Sequence, residues 1–582
     1  MELKKFYSGE AFDAYEYFGA HVERDRVSFR VYAPRAEKLC IMGEFSGWQE
    51  QNMLALEGGV WEYSCTWARP GQMYKYVVYG SNGRVEHCDP YGFGMEMRPG
   101  SCSIIRQLHE YKFTDRSWMR KRTKCFDKPL NIYEMHLGSW RKKGWQWYLY
   151  DELADQLIAY LKEQGYTHVE FMPLTEHPFD GSWGYQNVGY FAPTSRYGTA
   201  AQLMALIDRL HNAGIGAILD FVPVHFAMDR FGLRDFDGTA LYEYSNKRMA
   251  NSEWGSRNFD HSRGEVRSFL QSAANYWLKE YHFDGLRMDA ISRLIFRKGD
   301  WKQGENPEGM DFLKAMNRGL QQLHPTAMLI AEDSTAWGGV TRPVEQGGLG
   351  FDYKWDLGWT YNTLKYMGNA PATRAKHGER ISSALEYSRN ERYILPLSHD
   401  ETARGTGTVL QRIHGEYEDK LRQARLLYLY MLCHPGKKLN FMGNELAVMR
   451  EWNEDKPLDW ELQWNEKHGA FLRFVADANR MYLKRSAFWA NDHGGDNFQW
   501  LDCRCNKPCV FGISRPMGKD TVLAFFNFSD KAAIIEPDVY GKVSMLINSD
   551  WDVYGGGSKK AARQRIMKRL PAYSGAVYIC RE

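Results

Sequence analysis

The stretch GLRMDA, residues 285–290, has the pattern of a short buried strand that ends in charged residues. Side chains alternate along a strand, so Arg287 and Asp289, two positions apart, point to the same side of the backbone. A guanidinium at that distance keeps a carboxylate ionised and orients it. The pair is therefore either a catalytic aspartate with its arginine or a structural ion pair, and the hexapeptide alone leaves both interpretations open.

Strand and helix patterns alternate on both sides of this stretch. The helical segments carry apolar residues on one face, and one of them begins at a capping box formed by Thr199 and Gln202. Eight strand–helix units in sequence predict a closed parallel barrel, a (β/α)8 TIM barrel, over residues 116–485, with residues 226–258 as an excursion after the third strand. The strand candidates are 131–137, 168–173, 216–223, 284–290, 327–333, 351–355, 392–400 and 437–443.

The chain on either side of the predicted barrel has the two-residue period of β-strands. Residues 1–115 contain short alternating runs such as VSFRVYAP and MYKYVVYG, which predict a small antiparallel β-sandwich. Short strands return over residues 486–582, in runs such as TVLAFFNFS and GAVYIC, and predict a second β-sandwich. The predicted fold class is therefore α/β: a TIM barrel flanked by an N-terminal β-sandwich and a C-terminal all-β domain.

Composition and charge restrict the possible partners. A chain of 582 residues is too long for a single core, and its net charge of +3 gives no excess of positive charge for nucleic acid or a membrane surface. The longest nearly unbroken apolar run, 426–433, is far too short to cross a bilayer, and the first residues lack the apolar core of a signal peptide. We therefore expect a cytoplasmic protein with no nucleic-acid or membrane partner.

Cysteines and aromatic residues add two expectations. The ten cysteines form no CxxC pair, and the spacing of Cys503, Cys505 and Cys509 suits a metal poorly, so free thiols and no metal are expected. Aromatic residues make up 15% of the chain, more than a core alone requires. Rings that remain on the surface can pack against the apolar faces of sugar rings, as they do against other flat or apolar groups.

Polar residues cluster where the predicted barrel strands end. Chemistry in this type of barrel takes place at those ends, in the loops that follow the strands. Carboxylates that converge from different strands repel one another, so a catalytic role is favoured over a structural one. The residues at these positions are Tyr185 after the second strand, Asp220 and His225 after the third, Arg287 and Asp289 at the fourth, Glu332 at the fifth, and His399 and Asp400 at the seventh.

Four of these segments resemble the signature regions of the α-amylase superfamily of retaining glycosidases and transglycosylases. They are DFVPVH at 220–225, GLRMDA at 285–290, AED at 331–333 and SHD at 398–400, and they match in order and spacing. Other stretches, such as GSWGYQNVGY, GGLGFDYKW and HPGKKLNFMGNE, are similar to those of the 1,4-α-glucan branching enzymes within that superfamily. The resemblance covers essentially the whole chain and implies a glucan-binding sandwich in front of the barrel.

The resemblance implies a reaction and its substrates. An α-1,4-glucan such as glycogen, amylose or amylopectin is cleaved, and the released segment is transferred to a 6-hydroxyl as an α-1,6 branch. An α-glucan hydrolase or a 4-α-glucanotransferase on the same scaffold is the alternative. A non-catalytic glucan-binding protein is disfavoured because Asp289, Glu332 and Asp400 are all present. A monomer or weak oligomer without a cofactor is expected.

The resemblance also implies a role for each site residue. Asp289 corresponds to the nucleophile, Glu332 to the general acid and base, and Asp400 to a carboxylate that binds sugar hydroxyls and favours the transition state. The substrate-binding residues are Tyr185 as a stacking platform, Asp220, His225 and His399 around the sugar, and Arg287 as the residue that orients Asp289.

Three positions depart from the family pattern. Val224 stands where many amylases carry an asparagine that binds calcium, and valine has no ligand atom, so calcium is not expected there. Ala227 and Met228 replace the more usual proline and basic residue beyond His225. These changes leave the catalytic residues intact but bear on acceptor preference and on the length of the transferred chain.

Overall fold

The computed structural model describes residues 2–505, 508–539, 541–561 and 564–581. At its centre, eight parallel strands, β1–β8, pair in chain order and close into the predicted barrel. Almost all of their residues are buried, because parallel strands in such a fold are covered on both faces. The strands are β1 Asn131–Met135, β2 His168–Phe171, β3 Gly216–Phe221, β4 Gly285–Met288, β5 Met328–Ala331, β6 Tyr353–Trp355, β7 Tyr393–Leu397 and β8 Lys437–Phe441.

The longer helices of the barrel region, α1–α7 between these strands and α8 after the last of them, bury an apolar face. In α1, for example, Leu153, Leu157 and Leu161 recur on one face and are fully buried. The helices are α1 Tyr150–Gln164, α2 Ala200–Asn212, α3 Gly264–Glu280, α4 Pro307–Leu323, α5 Leu357–Gly368, α6 Glu379–Tyr387, α7 Tyr417–Cys433 and α8 Glu466–Lys484.

Helix α2 begins at the predicted capping box. The backbone N–H of Gln202 donates to Oγ1 of Thr199, and the backbone N–H of Thr199 donates to Oε1 of Gln202.

The expectation of a helix after every strand is wrong for the connection between β5 and β6. There, the described residues 332–352 contain only a 3-10 turn, Val344–Gln346. That segment includes five glycines and a proline, which disfavour an α-helix.

Antiparallel sheets precede and follow the barrel along the chain. Two facing sheets form the N-terminal sandwich, and the C-terminal region contains a five-stranded sheet and a short two-stranded ladder. The N-terminal strands are Gly19–Val22, Val27–Tyr32, Leu54–Ala55 and Val60–Cys65 in one sheet, and Lys38–Gly43, Gln51–Asn52, Met73–Gly80, Gly83–His87 and Ser103–Ile104 in the other. The C-terminal strands are Gln499–Leu501, Val510–Met517, Asp520–Asn527, Lys542–Asn548 and Ser574–Arg581, with Ala533–Ile534 and Arg569–Leu570 in the ladder.

The first residues of the chain connect the N-terminal sandwich to the barrel. The hydroxyl of Tyr7, in the short helix Leu3–Ser8, donates to the carbonyl of Gly58 at 2.7 Å. The hydroxyl of Tyr15 donates to Oε1 of Glu280 in α3 at 2.9 Å.

The domain boundaries drawn from sequence, at 115 and 485, stay predictions. Among the described residues, no helix is both long and apolar enough to cross a membrane.

Candidate active site

A cleft of about 680 Å³ lies at the carboxyl ends of the barrel strands and is lined by the loops that follow them. Two of the predicted site residues, Asp220 and Arg287, lie beneath its floor and are almost fully buried. The structure therefore gathers the whole predicted set around one cavity. The predicted residues that line the cleft are Tyr185, His225, Asp289, Glu332, His399 and Asp400.

Arg287, near the end of β4, contacts several carboxylates at once. Its Nη1 lies 2.9 Å from Oδ1 of Asp289 and 3.1 Å from Oδ2 of Asp220. Its Nη2 lies 3.8 Å from Oε2 of Glu332. The guanidinium also lies over the ring of Trp355, with its carbon 4.2 Å from the ring centroid. Both carboxylates proposed for bond cleavage thus lie within 4 Å of one cation.

Asp289 and Glu332 share surroundings that disfavour two negative charges. Both side chains are largely buried, with exposed fractions of 14% and 17%. Burial raises the pKa of Asp289 to about 7, although Arg287 opposes this rise and the charge of Glu332 adds to it. Burial also raises the pKa of Glu332, again against Arg287. The two carboxyls titrate as a pair: the shorter contact with Arg287 favours the negative charge on Asp289, while the N–H of Ala290 donates to Glu332 and lowers its pKa in turn.

The backbone around Asp289 holds Glu332 in place. The N–H of Ala290 donates to Oε2 of Glu332 at 2.6 Å. The N–H of Ile291 donates to the backbone carbonyl of Glu332 at 3.1 Å. The ends of β4 and β5 are thereby connected at the point where the two carboxylates emerge, so their relative position is fixed by main-chain atoms.

Tyr185 and Asp220 form a second layer around Arg287. The Tyr185 hydroxyl donates to Oδ2 of Asp220 at 2.5 Å, and its ring stacks on the imidazole of His399 with centroids 5.6 Å apart. Burial raises the pKa of Asp220 to about 6 against the opposing effect of Arg287. Asp220 therefore contacts the groups that position the site and does not itself line the cleft.

His399 is held by Glu134 on β1, a residue that sequence reasoning missed. Its Nδ1 lies 2.5 Å from Oε1 of Glu134, and its Nε2 lies 3.4 Å from Oδ1 of Asp400. Burial lowers the pKa of His399, but the charges of Asp400 and Glu134 outweigh it and raise the pKa to about 9. At neutral pH the imidazole is therefore a cation whose Nε2 donates on the cleft side. The available signal was a glutamate in the predicted strand NIYEM, at a position with no charged neighbour in that strand.

His225 has the opposite character. It follows β3 and is buried against the ring of Trp254, with centroids 4.8 Å apart. Burial lowers the pKa of His225 to about 3, so its imidazole is neutral. Asp400 stands at the mouth of the cleft with 55% of its side chain exposed, where it can accept hydrogen bonds from sugar hydroxyls.

Two tryptophans that were not predicted as site residues also line the cleft. Trp183 donates from its indole N–H to Oε2 of Glu454 at 3.1 Å, and the guanidinium of Arg404 lies 4.1 Å from its ring centroid. Trp254 lines the cleft beside His225. Sequence reasoning noted the surplus of aromatic residues but had no means of placing these rings. They provide flat apolar surfaces of the kind that sugar rings pack against.

This geometry defines a class of enzyme. Two carboxylates beside one cation, a third carboxylate at the cleft mouth and two differently charged imidazoles are arranged at the top of a parallel barrel, as in the α-amylase type of glycoside-processing enzyme. The family model "Alpha amylase, catalytic domain" matches residues 153–248 and 251–506, and "Carbohydrate-binding module 48 (Isoamylase N-terminal domain)" matches residues 17–92. The chain belongs to the family of 1,4-alpha-glucan branching enzymes.

Similar proteins match this chain over almost its whole length. The 1,4-alpha-glucan branching enzyme GlgB of Fusobacterium nucleatum is 41% identical, over 97% of this chain and 94% of its own. The enzyme of the same name from Bacillus caldolyticus is also 41% identical, over 99% of this chain and 88% of its own. The resemblance inferred from the sequence motifs is thus confirmed.

Solved structures share the architecture at much lower identity. A putative alpha amylase from Salmonella typhimurium superposes with a TM-score of 0.76 at 19% identity, covering 97% of this chain and all of that one. A pullulanase from Anoxybacillus sp. superposes with a TM-score of 0.77 at 18% identity, covering 99% of this chain and 89% of that one. At these identities the likeness concerns the fold alone, and the predicted fold class is confirmed.

Proposed function

We propose that this protein is a 1,4-α-glucan branching enzyme. It cleaves an α-1,4-linked glucan and rejoins the released segment to a 6-hydroxyl, which forms an α-1,6 branch. The observation that carries the chemistry is the placement of Asp289 and Glu332 on either arm of Arg287, at 2.9 Å and 3.8 Å, in one cleft. The near full-length similarity to curated branching enzymes supports branching over the other reactions of this scaffold.

The first half of the proposed cycle breaks the glycosidic bond. The carboxylate of Asp289 attacks the anomeric carbon while Glu332 transfers its proton to the departing oxygen. This leaves a covalent ester between the sugar and Asp289 and a free 4-hydroxyl on the departing chain. The contact of Arg287 with Asp289 supports this division of roles, because it stabilises the charged form of the nucleophile against the effect of burial.

The second half transfers the glycosyl group. Glu332, now a carboxylate, takes the proton of an incoming 6-hydroxyl, and that oxygen displaces Asp289 from the anomeric carbon. Two inversions at the same carbon retain the α configuration. The cationic His399, neutral His225 and Asp400 bind hydroxyls of the sugar at the point of cleavage, and Tyr185 supplies a ring surface for it.

Partners and setting follow from the same proposal. The partner is an α-glucan such as glycogen, amylose or amylopectin, and the N-terminal sandwich, which matches a carbohydrate-binding module, is proposed to hold part of it. We propose that the protein works in the cytoplasm as a monomer or weak oligomer. Light scattering during gel filtration, with and without amylopectin, tests the oligomeric state.

Incubation with amylose tests the function. A branching enzyme lowers the iodine colour with almost no gain in reducing ends, and isoamylase then releases short chains. Extensive new reducing sugar indicates a hydrolase. A fall in iodine colour with neither reducing ends nor isoamylase-sensitive linkages indicates a 4-α-glucanotransferase. Either result contradicts the proposal.

A further inference from the structure

A second cavity of about 470 Å³ adjoins the catalytic cleft. It lies between the loop segment that follows β3 and the segment that follows β4. Glu253, Arg293 and Lys298 line both cavities, so the two spaces share one wall. In that wall, Arg293 forms an ion pair with Glu253, and its guanidinium lies 4.5 Å from the ring centroid of Trp254.

The lining of the second cavity includes apolar and amide surfaces beside its charged residues, which are Arg248, Glu253, Arg293, Arg297 and Lys298. Met249, Phe259 and Leu294 present apolar groups, while Asn258 and Gln303 present side-chain amides. Oδ1 of Asn258 is buried and has no hydrogen-bond partner among the described residues. A glucan chain offers both matching surfaces, because its rings have apolar faces and its hydroxyls both donate and accept hydrogen bonds.

The second cavity lies on the side of the cleft where Glu332 is anchored. The N–H groups of Ala290 and Ile291 bond to Glu332, and the short helix Ser292–Ile295 follows directly. Arg293 and Leu294, in that helix, form part of the wall of the second cavity. An acceptor hydroxyl must reach Glu332 to lose its proton, so a chain held in this cavity approaches from the correct side.

We propose that the second cavity binds the acceptor, which is an α-1,4-glucan chain. A 6-hydroxyl of this chain reaches past the wall formed by Glu253, Trp254 and Arg293 to the glycosyl group on Asp289. This inference rests on the proposed branching function and adds the site that selects the acceptor over water. The catalytic cleft then holds the donor chain, and the two chains occupy separate cavities. Occupation of the second cavity, rather than a change in the catalytic residues, favours transfer over hydrolysis.

The test fills the second cavity without touching the cleft. Met249 is 40% exposed and Gln303 is exposed, and both line only the second cavity, so Met249→Trp and Gln303→Trp reduce its volume with little risk to the core. The matched controls are Lys247→Trp and Lys302→Trp, exposed neighbours that line neither of these cavities. On amylose, reducing ends before debranching count hydrolysis, and those released by isoamylase count branches.

We expect the ratio of branches to hydrolysis to fall by about tenfold or more in the two cavity variants, because the acceptor is no longer oriented. The kcat/KM for cleavage of amylose should stay at the wild-type value, since it reports formation of the glycosyl-enzyme. The two controls should match wild type in both quantities. An unchanged ratio in the cavity variants would overturn the proposal, and a fall in kcat/KM with an unchanged ratio would assign the cavity to the donor. Wild-type protein that forms no branches would instead refute the proposed function.

Discussion

The imidazole of His399, after the end of β7, is held by Glu134 on β1, and only β8 lies between these two strands in the barrel. Its Nδ1 lies 2.5 Å from Oε1 of Glu134, and its backbone N–H donates to Oε2 at 3.0 Å. The carboxylate is fully buried and has these contacts with His399, so it fixes the orientation of the ring, and its charge adds to that of Asp400 in favouring the imidazolium. Only Nε2 is left to act toward the cleft.

Glu134→Gln should therefore change the pH dependence of the reaction. The charge of Glu134 helps raise the pKa of His399 from its ordinary 6.5 to about 9, and the amide removes that contribution. The alkaline limb of the profile of kcat/KM against pH includes the loss of the Glu332 proton, and we expect it to move to lower pH as the loss of the charge on His399 is added to it. As a control, the double variant Glu134→Gln/His399→Gln should have the same alkaline limb as the single variant His399→Gln, since no imidazole remains to titrate. A shift of equal size in both backgrounds would contradict the role assigned to the pair.

Arg287→Lys should separate charge from geometry. Lysine keeps one positive charge but cannot contact Asp220, Asp289 and Glu332 with a planar fork. We expect kcat on amylose to fall by about 10²-fold or more, the scale of losing one preorganised electrostatic contact in an active site. The exposed Arg318→Lys serves as the control. If the Arg287→Lys variant had the same kcat as the wild type, a single positive charge would be sufficient for catalysis and the contradicted claim would be the need for the planar fork.

Removing one of the two carboxyls proposed for catalysis should stabilise the fold at alkaline pH. Burial raises the pKa of Asp289 from 3.8 to about 7 and also raises that of Glu332, so the folded pair of carboxyls binds protons more tightly than the unfolded chain does. The resulting stability is complete below about pH 4 and is lost as the pH rises through about 7. Asp289→Asn and Glu332→Gln should therefore exceed wild type in Tm by a few degrees near pH 8, and by less near pH 5. The exposed Asp127→Asn should show no such trend. A Tm gain that did not grow with pH would show that the burial of a charged carboxylate is not its cause.

Removing calcium with a chelator should change neither activity nor stability, because Val224 replaces the calcium-binding asparagine of many amylases. The valine side chain is buried and carries no ligand atom, so no calcium is expected there. We expect dialysis against EDTA to change neither the rate on amylose nor the Tm. Loss of either quantity with recovery on adding calcium would contradict the prediction and would require a ligand set elsewhere in the chain.

The sequence allowed much of the fold to be predicted because its local signals agree with the tertiary structure. All eight barrel strands fall within the predicted segments, and the capping box at Thr199 begins α2. The prediction of a helix after every strand failed between β5 and β6, where several glycines and Pro343 disfavour a helix and only a 3-10 turn forms. The contacts of Tyr7 and Tyr15 with distant segments were also beyond prediction, because they depend on how separate elements pack.

The site was predictable to the extent that its residues end barrel strands. Asp289 and Glu332 do so, and barrel closure brings such positions together. Glu134 lies one residue before the end of a buried strand, and a single glutamate there has no local pattern that distinguishes it from a structural residue. Trp254 belongs to the long excursion after β3, whose path is set by tertiary contacts such as the ion pair between Glu253 and Arg293.

The proposed reaction requires Asp289 to form a covalent bond with the sugar while Glu332 moves the proton. A fluorinated α-glucosyl fluoride, which forms a glycosyl-enzyme faster than the ester breaks down, tests this requirement by mass spectrometry of the digested protein. We predict one glycosyl group on the peptide that contains Asp289, and none in Asp289→Asn. Label on Glu332 or Asp400, or turnover with inversion at the anomeric carbon and no labelled peptide, would contradict the assigned roles.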